Sequence, residues 1–223
     1  MVTETGLTLS PIIEQAPRVK RIKDYFDNNQ EVNVDISVPL LSRLYNEDEI
    51  SEVVDTLLTP KKLTLNASGE LKIEAFEDLW SNFIGTNNGI MVNSGSSANL
   101  IMLAAIKKTL AWKDGDEIIL SSVGFPTTIA PVVHNNLSPI FVDIEWDTLN
   151  FDLKKIKTKI SDKTKAILIS PVLGNPPDFD ILMEIKEQYD LELILDDCDS
   201  LGSCWRGKLL SEYCLASSCS FYP

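Results

Sequence analysis

From Gly89 onward, short apolar runs alternate with helix-length amphipathic segments, and that alternation leaves the chain few ways to fold. Ile90-Met91-Val92 reads as a short strand and Ser97 to Leu110 as the helix after it. Glu117-Ile118-Ile119-Leu120 is the next strand, and a helix runs from Thr127 to Asn135. Pro139 to Asp143 and Lys165 to Val172 are further strands. Asp178 to Tyr189 is a helix with Ile181, Leu182, Ile185 and Tyr189 on one face, and Leu191-Glu192-Leu193-Ile194-Leu195 reads as a buried parallel strand. Strand and helix in turn specify an α/β fold, a doubly wound, mostly parallel sheet in three layers with helices on both faces.

The pattern is different upstream. Residues 1–38 are polar, mixed in sign and weakly periodic, an N-terminal arm with one predicted helix from Ala16 to Asn28. Residues 39–223 are expected to form one large domain. Asn46 followed by Glu49 has the form of a capping box, and Ile50, Val53, Val54, Leu57 and Leu58 continue it as a helical stripe. A second amphipathic helix is predicted from Leu71 to Phe83. His134 reads as a surface or satisfied structural residue, Trp112 with Asp114-Gly115-Asp116 as a turn, and the lysines from Lys154 to Lys165 as the solvated face of a helix.

Charge and composition exclude several function classes. A net charge of −13 argues against nucleic acid or an anionic membrane as partner. No stretch reaches the apolar length needed to span a bilayer, and the N-terminus lacks the basic start and apolar core of a signal peptide, so a cytoplasmic location is expected. Cys198, Cys204, Cys214 and Cys219 form no CxxC pair. They are expected to be reduced thiols, most of them acting as small buried hydrophobes on strands.

Chemistry concentrates where the strands end. Asp196, Asp197 and Asp199 place three carboxylates in four positions at the end of one strand. Such a cluster repels itself unless a cation or a shared proton sits among it, and a metal or a protonated ring nitrogen would each serve; a solvated acidic loop is the plain alternative. Asn93-Ser94-Gly95-Ser96-Ser97-Ala98-Asn99 joins a predicted strand to its helix, where free amides, the helix dipole and two hydroxyls make an anion site, or simply a serine cap. Gly124-Phe125-Pro126-Thr127-Thr128 puts an aromatic ring at the same edge of the sheet, although Phe125 alone could equally be core. Phosphate site, aromatic plate and carboxylate together match the needs of a phosphorylated pyridine.

In that order, NSGSSANL, GFPTT, FVDIEWDTLNFD, LDDCDSLG and SFYP resemble the fold-type I, PLP-dependent nucleotide-sugar aminotransferase and dehydratase family. Within it they are most similar to the CDP-4-keto-6-deoxy-glucose 3-dehydrase branch of lipopolysaccharide sugar synthesis. The likeness runs from about Pro39 to Pro223. It implies a cofactor, pyridoxal or pyridoxamine 5'-phosphate, with Gly95, Ser96, Ser97 and Ser220 at its phosphate, Phe125 stacked on its ring and Asp196 at its ring nitrogen. Asp199 falls where aminotransferase relatives carry a glutamine, and Cys198 on a cysteine that ligates an iron-sulfur cluster in some dehydrases.

The implied function is removal of the 3-hydroxyl from a 4-keto-6-deoxy nucleotide sugar, in a homodimer, with an iron-sulfur reductase as further partner. A nucleotide-sugar aminotransferase is the alternative on the same fold. The resemblance also places the catalytic lysine or histidine just after Pro223. It therefore leads to the expectation of a truncated chain, inactive by itself or a non-catalytic remnant. The usual Phe-Gly-Asp of the family reads here as Tyr213-Cys214-Leu215.

Overall fold

Alternate residues of the central strands point into two separate cores, and this fixes the layering. The computed structural model describes residues 46–59 and 72–222. They belong to two compact units, Met1–Lys72 with Pro223, and Ile73–Tyr222. In the first, helix α1 (Glu47–Leu58) opens on the predicted capping box. The Asn46 side chain accepts from the Asp48 amide at 2.7 Å, and Glu49 accepts from the Asn46 amide at 2.7 Å. The predicted arm helix and the domain boundary near residue 38 lie outside the described residues.

The second unit runs α2 (Lys72–Ile84), α3 (Gly95–Thr109), β1 (Glu117–Ser121), α4 (Pro126–His134), β2 (Ser138–Val142), α5 (Leu153–Ile156), β3 (Thr164–Ile169), α6 (Phe179–Tyr189) and β4 (Glu192–Asp196). A two-strand hairpin, β5 (Cys204–Trp205) and β6 (Lys208–Leu209), follows, and then β7 (Ala216–Ser218). The sheet has the order β2-β1-β3-β4-β7, with every neighbouring pair parallel. Ile119, Ile167, Ile169, Leu193 and Leu195 face one way, packed with Phe179, Leu182 and Ile185 of α6 and Ile156 of α5. Ile118, Leu120, Ala166, Leu168 and Ile194 face the other way, against Leu103 and Ile106 of α3 and Val132 of α4. Period-two burial on both faces is what a doubly wound parallel sheet requires. The predicted fold class holds.

The chain leaves β1 for β2 on one side and returns to β3 on the other, so β1 and β3 flank a reversal in strand order. Because all five strands run the same way, their carboxyl ends form one edge, and a ligand site belongs in the crevice at such a reversal.

Several expectations need correcting. Ile90–Val92 forms no strand; Ile90 is 80% exposed, and no described residue pairs with its backbone in a ladder. The strand expected over Lys165–Val172 stops at Ile169, ahead of Pro171. The lysine-rich segment is helical only through Leu153–Ile156 and a 3-10 turn at Lys157–Lys159. Of the four cysteines only Cys204 lies on a strand, and it is exposed; Cys198, Cys214 and Cys219 are half-buried in turns and loops. Among the described residues no helix is long and apolar enough to cross a membrane.

Candidate functional site

Ser94 caps α3, its hydroxyl accepting from the Ser97 amide at 3.2 Å. That leaves the amides of Gly95 and Ser96 without a partner among the described residues, at a helix terminus whose first turn carries no acidic side chain. Unpaired amides and the positive end of a 15-residue helix favour an anion there. Gly95 is where α3 meets the segment after β7. A Cβ at Gly95 would fall 2.8 Å from Ser220 Cβ, 3.0 Å from Cys198 Sγ and 3.2 Å from Ser220 Oγ. The absent side chain therefore lets the Ser220 hydroxyl stand beside the start of α3.

Asp196 ends β4 with only 3% of its surface exposed, and three donors reach its carboxylate. Its Oδ2 accepts from Asn99 Nδ2 at 2.8 Å and from Thr128 Oγ1 at 2.6 Å, while Oδ1 accepts from the Cys198 amide at 3.3 Å. Asn99 Oδ1 in turn accepts from Ser218 Oγ at 2.6 Å. One carboxylate thus ties α3, α4 and β4 together, and Ser218 adds β7. Phe125 is the residue before α4, 66% exposed, with its carbonyl held by the Thr128 amide at 3.0 Å. It is not core. The ring is available at the edge where Thr128 reaches Asp196.

The remaining carboxylates separate by environment. Asp197 is buried, accepts from Ser200 Oγ at 2.5 Å, and is held above the usual carboxylate range chiefly by desolvation. Its amide donates to the Ser218 carbonyl at 2.8 Å, which anchors the turn after β4 to β7. Asp199 is exposed, and its side chain meets no partner among the described residues. Burial, with Asp196 next to it, pushes the Cys198 thiol far up, and burial raises Cys219 to about 11 and Cys214 to about 12. Metal ligation needs thiolates. Among the described residues no group of three or more His, Cys, Asp or Glu could hold a metal ion. Cys198 has no companion ligands among them, and the resemblance places those beyond Pro223.

Gly95, Ser96, Ser97, Ser220 and Cys198 therefore lie at one end of α3, with Asp196 and Phe125 reached through Asn99 and Thr128. Asp199 stands apart on the exposed turn. Asn99 and Thr128 stand within sequence motifs that assign them no role, and Ser218 stands in none of those motifs. The one available signal was a polar Asn99 set four residues before Leu103 on an otherwise apolar face of α3.

The donor set and the Gly95 cradle fit a phosphorylated pyridine, and known proteins agree with that chemistry. Residues 45–223 match the DegT/DnrJ/EryC1/StrS aminotransferase family. The dTDP-4-dehydro-2,6-dideoxy-D-glucose 3-dehydratase of Saccharopolyspora spinosa is 34% identical over 100% of this chain and 50% of its own length. The GDP-4-keto-6-deoxy-D-mannose 3-dehydratase of Yersinia pseudotuberculosis is 36% identical over 84% of this chain and 47% of its own. In structure, E. coli GDP-4-keto-6-deoxy-D-mannose-3-dehydratase with bound hydrated PLP superposes with a TM-score of 0.70 at 35% identity, covering 78% of this chain and 44% of that one. The chain spans about half the length of the relatives it matches.

Proposed function

Because the chain belongs to the DegT/DnrJ/EryC1/StrS aminotransferase family, we propose that it carries the cofactor-binding part of a pyridoxal or pyridoxamine phosphate-dependent 3-dehydratase acting on a 4-keto-6-deoxy nucleotide sugar. One observation carries this reading. A buried Asp196, ringed by hydrogen-bond donors, ends a strand at the same sheet edge as an unpaired helix terminus and an exposed aromatic ring. The amides of Gly95 and Ser96, with the hydroxyls of Ser96, Ser97 and Ser220, would hold the phosphate. Phe125 would cover one face of the ring and exclude water from it. The Asp196 carboxylate would keep the proton on the ring nitrogen, since an ionised carboxylate next to a base favours its charged form. When bound, the protonated ring supplies an electron sink.

Two relatives named as 3-dehydratases, on dTDP- and GDP-linked sugars, support dehydration over amino transfer and leave the nucleotide open. The exposed Asp199 suits the same branch. An aminotransferase remains the second reading, because the family is described by that activity. On the dehydratase reading the protein works as a homodimer in the cytoplasm and receives electrons from an iron-sulfur reductase.

Retention of cofactor decides the matter at the level of binding. The chain is mixed with PLP or PMP, desalted, and its absorbance recorded. Wild type is expected to keep a chromophore, and Asp196→Ala to lose most of it. A wild-type protein that keeps none overturns the proposal.

A further inference from the structure

Asn99 is the most deeply buried polar side chain of the site, 1% exposed in a helix face otherwise built from Leu103 and Ile106. An amide in such a place is destabilising unless its donors and acceptor are engaged. They are engaged in one orientation only. Nδ2 donates to Asp196 Oδ2 at 2.8 Å and to the Thr127 carbonyl at 3.3 Å, and neither an ionised carboxylate nor a carbonyl can donate in return. The amide oxygen must then face Ser218, whose hydroxyl donates to it at 2.6 Å. Ser218 therefore fixes Asn99, and Asn99 fixes Asp196.

This arrangement makes the two oxygens of Asp196 unequal. Oδ2 receives two short side-chain donors, from Asn99 and Thr128, whereas Oδ1 receives one backbone amide at 3.3 Å. Accepting capacity is left on Oδ1. We propose that Asn99, locked by Ser218, is a positioning residue that saturates Oδ2 and holds Oδ1 of Asp196 as the oxygen that meets the cofactor's ring nitrogen. The proposal rests on the pyridoxal phosphate reading above. It adds that the strength of the ring contact is set from α3 and β7, neither of which supplies a group to the ring itself.

The test compares PMP with its 1-deaza analogue, in which a carbon replaces the ring nitrogen, so that only PMP can engage Asp196. Dissociation constants are measured by fluorescence titration on the whole chain for wild type, Asn99→Leu and Ser218→Ala. Asn99→Leu keeps the branched side-chain shape and removes the amide, and Ser218→Ala is the milder change should the first fail to fold. Wild type should prefer PMP. Either variant should weaken PMP by about tenfold, the scale seen when groups supporting a ligand are removed, and leave the deaza analogue within about twofold. Ser218→Thr, which keeps the hydroxyl, should restore PMP binding. Equal weakening of both ligands, or of neither, overturns the positioning role. Wild type that binds PMP and the analogue equally overturns the Asp196 contact, whereas wild type that binds neither overturns the cofactor reading as a whole.

Discussion

Single residues at this site are constrained by how closely backbones meet. Gly95 has Ser220 Cβ and Cys198 Sγ within 3.0 Å of where its own Cβ would stand. Gly95→Ala is therefore expected to destabilise the protein by about 1–3 kcal/mol through overpacking, and to weaken phosphate-bearing ligands by moving Ser220 away from α3. Urea titration and ligand titration of the same variant measure the two effects; unchanged values in both would show that the segment after β7 yields freely. Gly95 and Asp196 were legible in the sequence because each sits in a local motif at a strand end. The network joining them was not. Asn99 meets Ser218 across 119 positions and Asp196 across 97, and no local pattern encodes a side-chain pairing that only the folded sheet brings about. Asp197 is a related case. It stands in the most conspicuous run of the chain, yet its role is structural, holding Ser200 and the Ser218 carbonyl across the turn.

Elements were legible where periodicity and a cap agree. Helix α6 was expected from Asp178, and the structure caps it there, with Oδ1 accepting from the Asp180 and Ile181 amides at 3.0 and 3.1 Å. Asp178→Ala should cost about 1 kcal/mol, within the range for lost N-caps, read as a lower urea midpoint with an unchanged slope. A change below about 0.3 kcal/mol would mean that α6 is held by packing of Phe179, Leu182 and Ile185 alone. Strands depend on partners more than on propensity. Ile90-Met91-Val92 has the composition of a strand, but it finds no strand to pair with among the described residues, and the Met91 amide donates instead to Glu77 Oε1 at 2.6 Å. The opposite holds for β7, whose Ala216-Ser217-Ser218 has weak strand character and forms because β4 offers an open ladder from Ile194 to Asp196. The β5–β6 hairpin is only two residues on each side, too short for any periodicity to register.

At the scale of the molecule, buried thiols and the candidate site both link stability to solution conditions. Cys198, Cys214 and Cys219 all have thiols raised above 9.0 in the folded state, chiefly by desolvation. The folded chain thus keeps protons that the unfolded chain releases, and stability present below pH 9 should be lost as pH rises through about 11 to 12. Thermal melts at increasing pH should show the loss, and Cys219→Ser should make it smaller. A ligand acts in the reverse direction. Phosphate held at the start of α3 and by Ser220, with a ring against Phe125 and Asp196, would touch four segments at one sheet edge. Stabilisation should then reach the whole Ile73–Tyr222 unit. At a PMP concentration 100 times its dissociation constant, linkage gives about 2.7 kcal/mol, or a Tm rise of roughly 5–10 °C for a unit of this size. Inorganic phosphate at the same concentration should raise Tm less, since it engages only the α3 end. Circular dichroism and tryptophan fluorescence should shift together, because a ligand bridging these segments adds to the cooperative unit without dividing it. If PMP and phosphate gave equal shifts, Asp196 and Phe125 would contribute nothing to binding. If instead the two probes separated on adding PMP, the edge would be opening independently of the sheet, and the candidate site would be a local feature without a share in the global fold.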